Sequence, residues 1–254
     1  MGEVLTTTTP LIEVRHLLLT SGSRVLQRDL EFEAMRGQVL AIVGEEGSGK
    51  RALLRTMIGL ERPAEGDVFY EGEALWAASE ADRRQWMARF GSQLAGGALL
   101  STKTLMENVA LPLEVHSRLP PRDIRAVARL KLALMGLADY ENHFPGEVDE
   151  QNRIAAALAR ATALDPDVLF CERPTAGLDP RAARLVSDSI LRARDHLGAT
   201  VVVVTNDVSL VMAADEAVFL GLENRSMKAR GKPADLRDHA VAPDVRAFLS
   251  GFRS

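Results

Sequence analysis

The sequence predicts an α/β fold: a parallel sheet with helices on both faces, preceded by a small antiparallel β-lobe and interrupted by an inserted helical lobe. Three observations lead there. Val39-Leu40-Ala41-Ile42-Val43 is continuously apolar, as a strand buried on both faces must be, and it runs into a glycine-rich turn. From Val168 onward strand-like and helix-like segments alternate, the pattern of parallel strands joined by crossover helices. Between these, from about 85 to 163, helical spacing dominates and strand signals nearly vanish.

At the start, Thr6-Thr7-Thr8-Thr9-Pro10 closes a segment, residues 1–10, that reads as a flexible tail ahead of a single domain over 11–254. Met1-Gly2-Glu3-Val4-Leu5-Thr6 matches the loose N-myristoylation pattern, but that pattern alone gives no reason to expect a lipid anchor. Leu11 to Arg15 and Leu30 to Glu33 alternate apolar with polar residues, as half-buried antiparallel strands do. After Val39 to Val43, helical spacing covers Arg51 to Leu60, Thr104 to Val115, Arg122 to Met135 and Asn152 to Ala163. The second half reads as strand Val168 to Cys171, helix Arg181 to Leu197, strand Thr200 to Val204, a short helix near Ser209 to Ala214 and strand Glu216 to Leu220.

Composition narrows the function classes. With 254 residues, 46% hydrophobic and 26% charged, the chain has the makeup of a globular protein. No apolar run approaches the roughly 20 residues of a membrane helix, and nothing at the N-terminus resembles a secretory signal, so a cytoplasmic location is expected. The net charge of −4 supplies no basic footprint for nucleic acid or anionic lipid, so membrane association is expected to go through a protein partner. The single cysteine, Cys171, lies in an apolar strand and reads as a buried thiol. No histidine or cysteine cluster has metal-ligand spacing.

Gly44-Glu45-Glu46-Gly47-Ser48-Gly49-Lys50 matches the phosphate-binding P-loop, in which glycines let backbone N–H groups converge on phosphate and a lysine reaches its oxygens. The match then stops. A P-loop needs a Ser or Thr hydroxyl after the lysine as a magnesium ligand, and Arg51 stands there. Taken alone, the segment also suits a purely structural strand-to-helix turn.

The rest of the chain bears on that choice. Ala155 to Ala161, then Val168-Leu169-Phe170-Cys171-Glu172-Arg173-Pro174-Thr175-Ala176-Gly177-Leu178-Asp179-Pro180, then Val201 to Asp207, resemble in order and spacing the landmarks of ABC ATPases. Gly97-Ala98-Leu99-Leu100, Glu107 to Leu113, His116, Leu119-Pro120 and Val245 to Gly251 look like the Mla/Mce-type lipid transporters linked to organic-solvent tolerance. The resemblance runs from about Leu11 to the C-terminus. It implies an ABC-ATPase nucleotide-binding domain with a RecA-like parallel core, the N-terminal β-lobe and the helical lobe at about 85–163. It also implies ATP as ligand, a membrane permease as partner, a second nucleotide-binding subunit, identical or not, and a peripheral place on the cytoplasmic side of the inner membrane.

Residue by residue, the departures from the family pattern fall where its chemistry lies. The family's magnesium-ordering aspartate falls on Glu172, one methylene longer. Its catalytic glutamate, which polarises the attacking water, falls on Arg173, a cation with no basic lone pair. The switch histidine falls on Asn206, the Q-loop glutamine on Ala95 with Gln93 two residues earlier, and the adenine-stacking aromatic near Ser21. No catalytic residue of the pattern is intact, and the resemblance with these departures implies weak ATP binding without magnesium.

The signature Leu-Ser-Gly-Gly-Gln, which in the family forms an anion site for ATP held by the opposite subunit, reads Val148-Asp149-Glu150-Gln151-Asn152. Asp149 and Glu150 suit a helix N-cap and first turn, so a merely well-capped helix also accounts for them. An incoming phosphate would nevertheless meet like charge, about 4 kcal/mol per unit pair at 4 Å and an effective dielectric near 20, before screening. In the nucleotide site, Arg51 and Arg173 in place of Ser and Glu add three positive charges, which Glu45 and Glu46 reduce to one. Two arrangements follow: an internal salt network of these residues with Glu172, or an arginine standing where magnesium would. Asp179, at the family's D-loop position, and Gly97 to Leu113, which in the family faces the permease, are retained, although both also read as stable turn and helix sequence. Parts for docking thus remain while parts for chemistry are altered, which points to a non-hydrolysing subunit rather than a working ATPase or a free-standing regulatory cassette.

Overall fold

A computed structural model describes residues 9–251; Met1 to Thr8, with most of the expected tail and the myristoylation-like opening, lie outside the described residues. The N-terminal lobe is a four-stranded antiparallel sheet ordered β2-β1-β4-β5, from β1 (Ile12–Ser21), β2 (Arg24–Ala34), β4 (Glu65–Tyr70) and β5 (Glu73–Ala74). Ile12 pairs with Ala34 and Val14 with Phe32, and the inward residues of each strand are buried, which is the alternation the sequence showed.

The core is a six-stranded sheet ordered β10-β9-β3-β8-β7-β6. Its members are β3 (Val39–Gly44), β6 (Phe90–Gln93), β7 (Val168–Glu172), β8 (Thr200–Val204), β9 (Glu216–Leu220) and β10 (Met227–Gly231). All pairs are parallel except β10 with β9. Val39 to Ile42 lie beside Val201 to Val204, and Val168 to Glu172 lie on the far side of β8. One face buries Leu40, Ile42, Phe170 and Val202 against the β-lobe and helix α1 (Lys50–Ile58). The other buries Val39, Ala41, Leu169 and Val203 against α6 (Pro180–Leu197) and α7 (Val208–Met212). Burial on both faces is why these strands are uniformly apolar, each large side chain contributing about 1.5–3 kcal/mol.

Between β5 and β6 lies α2 (Glu80–Met87), and the helical lobe consists of α3 (Leu105–His116), α4 (Pro121–Leu134) and α5 (Glu150–Ala161). Its own core joins Leu105, Val109, Leu113, Ile124, Ala128, Leu132, Ala156 and Ala159. Ile154 and Leu158, on another face of α5, pack into the main core. One helix therefore carries its N-terminus on the lobe and anchors it to the sheet. The chain closes with α8 (Pro233–His239) and α9 (Pro243–Leu249).

The stretch in which helical spacing dominates and strand signals nearly vanish, about 85 to 163, contains the strand β6. Gly91, Ser92 and Gln93 carry little strand propensity, so tertiary pairing with β7 decides the conformation there. Strands β4, β5 and β10 and helices α2, α8 and α9 likewise add to the elements read from sequence. No helix among the described residues is long and apolar enough to cross a membrane.

Gly91 is where this pairing is tightest: a β-carbon there would lie 2.1 Å from the carbonyl oxygen of Ala161, at the end of α5. Gly91→Ala should therefore destabilise the fold by about 1–3 kcal/mol or more, since backbone on both sides must shift. Urea unfolding checks this; an unchanged midpoint would show that β6 does not press on α5.

Candidate functional site: a phosphate cradle beside an Arg51–Glu172 pair

The end of β3 delivers the chain into a loop whose glycines adopt conformations closed to other residues: φ is 155° at Gly44, 80° at Gly47 and 88° at Gly49. At Gly44 a β-carbon would sit 2.7 Å from the carbonyl oxygen of Leu220. Gly49 precedes α1, which has no side-chain cap and no acidic residue in its first turn, leaving its first-turn amides facing the loop. Under the loop Gln27, fully buried in β2, donates from Nε2 to the carbonyls of Ser48 at 2.8 Å and Gly221 at 2.7 Å. The Ser48 hydroxyl is buried without a hydrogen-bond partner. Gln27 carried no sequence signal; inside an alternating strand it reads as one more polar residue.

Lys50 folds back over this loop, its Nζ donating to the carbonyl oxygens of Gly44 and of Glu45, the latter at 2.7 Å. Burial, then the nearby Arg173 guanidinium, lowers its pKa to about 8, against the opposing pull of Glu46 and Glu45. A cradle of backbone donors with a lysine beside it fits a phosphate group.

At the two positions where the family pattern places magnesium ligands stand Arg51 and Glu172. Glu172, at the end of β7, is buried and both its oxygens are engaged: Oε1 lies 3.3 Å from Arg51 Nε, and Oε2 accepts from the Ala95 backbone N–H at 3.2 Å. The side chain following Lys50 is thus a guanidinium already paired to the carboxylate that would order a metal, and no hydroxyl is supplied from that position. Magnesium is a hard cation that keeps oxygen ligands in near-octahedral array, and the Arg51 guanidinium supplies none.

Of the two arrangements left open by the sequence, only part of a salt network forms. Arg51 pairs with Glu172, but Glu45 pairs with Lys228 at 3.4 Å, and among the described residues neither Arg173 nor Glu46 has an ion-pair partner. Arg173 is exposed, in a left-handed conformation at φ 47°, with its N–H donating to the Val204 carbonyl at 2.8 Å. Asn206 is exposed beside it on the same cleft. Gln93 does not reach the site: it is fully buried in β6 and its Nε2 donates to its neighbour's carbonyl at Leu94.

These groups line one cleft of 1520 Å³, with Thr20, Ser21 and Leu26 at one end and Lys50, Arg51, Ala95, Glu172, Arg173 and Asn206 within it. Among the described residues no aromatic ring lines it. Arg55 and Arg184 also face it, two cations the sequence did not single out because their helices announce only an amphipathic period.

Beyond the cleft, Asp149 caps α5, its Oδ1 accepting from the Asn152 N–H at 2.8 Å, and Glu150 is exposed in the first turn. Gln151 is half-buried behind them. The Glu150 carboxylate reaches to within 3.6 Å of where a β-carbon on Gly177 would stand. Asp179 caps α6 through the N–H groups of Arg181 and Ala182. Asn108, in the segment after Gly97, is fully buried and makes four bonds to the backbone of Leu100, Lys103 and Thr104.

The sequence pattern of the ABC transporter family matches residues 27–176, from the floor of the cradle to the turn after β7. The chain belongs to the ABC transporter family. This nucleotide-binding subunit is 32% identical to the probable ribonucleotide transport ATP-binding protein mkl of Mycobacterium leprae, over 95% of this chain and 69% of that protein. It is 31% identical to the intermembrane phospholipid transport ATP-binding protein MlaF of Escherichia coli, over 95% of this chain and 89% of that one. Its fold matches the ATP-binding cassette MJ0796, solved as a dimer bound to ADP and Pi, with a TM-score of 0.80 at 22% identity over 87% of this chain and 98% of that one. The ABC fold is thereby shown, and the substitutions described above sit within it.

The electrostatics of the ABC cradle are testable directly. Titration of labelled lysines by 13C NMR should give Lys50 a midpoint of about 8, so that it is charged at neutral pH and loses its charge as pH rises through that value. Arg173→Ala should move the midpoint upward, toward the ordinary lysine value near 10.4. An unmoved midpoint would mean that Lys50 does not feel Arg173.

Proposed function

We propose that this chain is a catalytically impaired nucleotide-binding subunit of a lipid-type ABC transporter, held peripherally on the cytoplasmic side of the inner membrane by a permease and paired with a second cassette. The observation that carries the impaired reading is the Arg51–Glu172 ion pair, which sets a cation beside the carboxylate at the family's metal-ordering position. Arg173 adds to it: at the position of the family's water-polarising glutamate stands a side chain that cannot accept a proton. A nucleotide is held weakly, by its phosphates on the amides of Gly47 to Lys50, and with no gain from magnesium.

The lipid substrate class rests on the two MlaF proteins, from Haemophilus influenzae and Escherichia coli, named as phospholipid transport subunits, and on the resemblance of Gly97 to Leu113. A methionine import protein, MetN of Rhizobium meliloti, is as similar at 33% identity, so the residues outside the core motifs carry the distinction. Docking is supported by the rigid loop that Asn108 holds and by the exposed Leu100, Val115 and Leu119 close to it in sequence. The net charge of −4 gives no surface for nucleic acid.

A second reading, a working ATPase with unusual residues, is favoured by the intact cradle and by Lys50. Steady-state ATPase measurements with Lys50→Ala as control separate the two. The impaired reading expects no Lys50-dependent turnover; a rate near the roughly 1 s⁻¹ low end of ordinary enzymes would reject it. Calorimetry with ATP should show weak binding indifferent to EDTA. Arg51→Ser with Arg173→Glu should make binding magnesium-dependent without restoring hydrolysis, because Asp149 and Glu150 still spoil the opposing half-site. Micromolar affinity of the unmodified protein that vanishes with EDTA would overturn this account of the site. Purification from its native membrane should bring a permease with it.

A further inference from the structure

In the N-terminal lobe, β1 and β2 depart from regular pairing twice in succession. Val14 pairs with Phe32 and Leu17 with Leu30, so Arg15 and His16 together face Glu31; Leu19 then pairs with Gln27, so Arg28 and Asp29 together face Leu18. Each is a bulge, an extra residue that re-aims the side chains beside it. His16 and Asp29 sit in these bulges with left-handed backbone, at φ 51° and 48°. The third strand makes room for the first of them: at Gly66 a β-carbon would lie 2.3 Å from the His16 carbonyl oxygen.

Three side chains converge there. His16 Nδ1 lies 2.9 Å from Asp29 Oδ1 and 2.7 Å from Glu31 Oε1, and one ligand-type atom of each residue falls within 4.8 Å of the other two. All three side chains are more than half exposed, and none of them lines the cleft. They meet only through strand pairing, so their spacing along the sequence carried no metal signal.

Two features set this cluster apart from an ordinary ion pair. A single ring nitrogen faces both carboxylates, and one proton on it can point along only one line to an acceptor. The carboxylates also have no other cation: Glu13, Glu33 and Glu71 of the same lobe pair with Arg15, Arg230 and Arg36, whereas among the described residues Asp29 and Glu31 pair only with His16. Two carboxylates thus stand against at most one positive charge. A metal ion with bonds near ~2.1 Å spaces its neighbouring ligands about 3.0–3.4 Å apart in octahedral or tetrahedral array. Both imidazole–carboxylate edges are close to that length already, and the exposed carboxylates have only to swing toward each other to set the third.

We propose that His16, Asp29 and Glu31 bind one divalent ion of the zinc class, through imidazole Nδ1 and one oxygen of each carboxylate, with water in the remaining positions. An imidazole nitrogen beside carboxylates suits zinc and its neighbours, while magnesium and calcium ask for oxygen alone. The ion takes the place of the ring proton at Nδ1, which leaves to solvent. Bound there, it ties β2, the outer strand of the lobe, to β1.

Calorimetric titration of the full chain with ZnCl2, in a non-coordinating buffer at neutral pH, tests this. One zinc per chain is expected, with a Kd of ~0.1 mM or tighter that ~1 mM MgCl2 leaves unmoved. His16→Gln should weaken binding about tenfold or more, and so should Asp29→Asn with Glu31→Gln, while His116→Gln, at another exposed histidine, should change nothing. Circular dichroism confirms that each variant keeps the fold. NMR of the imidazole protons gives a reading that needs no variant: of the five histidines, His16 should shift first as zinc is added. A Kd weaker than ~0.1 mM, an affinity that survives both sets of substitutions, or another histidine responding first would each overturn the proposal.

Discussion

The structure depends on the burial of β3 between two parallel neighbours. Val39 to Ile42 hydrogen-bond to β8 on one edge and β9 on the other while both faces are covered, so this strand has no freedom to slide or tilt. Its C-terminal end fixes Gly44, and the loop that follows must turn within a few residues to start α1, whose Leu53, Leu54 and Met57 pack on the same sheet. The left-handed glycines are consequences of that geometry. A cradle of amides therefore persists as a by-product of core packing, whether or not the residues around it carry out chemistry.

That separation explains how the site departs from its family while the fold does not. Arg51 is exposed in the first turn of α1 and contributes nothing to the core, so exchanging a hydroxyl for a guanidinium there leaves packing untouched. Glu172 is different, because a buried carboxylate without a partner is costly. The Arg51 guanidinium and the Ala95 N–H together satisfy it. The two substitutions are coupled in this way: a lone Glu172 would need a cation, and with Arg51 present the structure supplies one from within the chain.

Much of this was legible in the sequence, for identifiable reasons. Strands buried on both faces announce themselves by composition, so β3, β7, β8 and β9 were readable almost to the residue. The P-loop glycines, Asp149 and Asp179 were readable because each is tied to a local backbone requirement, a positive φ or a helix cap. β6 was hidden because its Gly91 serves close approach to α5 rather than strand propensity. Gln27, Arg55 and Arg184 were hidden for a different reason: their roles depend on neighbours from distant parts of the chain, and a polar residue at a periodic position looks the same whether it meets solvent or a cleft. The pairing of Arg51 with Glu172 rather than with Glu45 also lay beyond sequence distance, since Glu45 is drawn away by Lys228.

The distribution of charge is the last link from fold to behaviour. In a helix-capped site that receives phosphate, the first-turn amides stay free and their partial positive charge falls on the ligand. α1 keeps that arrangement, with no acid in its first turn, whereas α5 spends its N-terminal charge on its own Asp149 and sets Glu150 beside it. The two helices thus present opposite faces to anything arriving between them: one draws anions and the other repels them. A phosphate placed between two such helix ends gains at the start of α1 and loses at the start of α5.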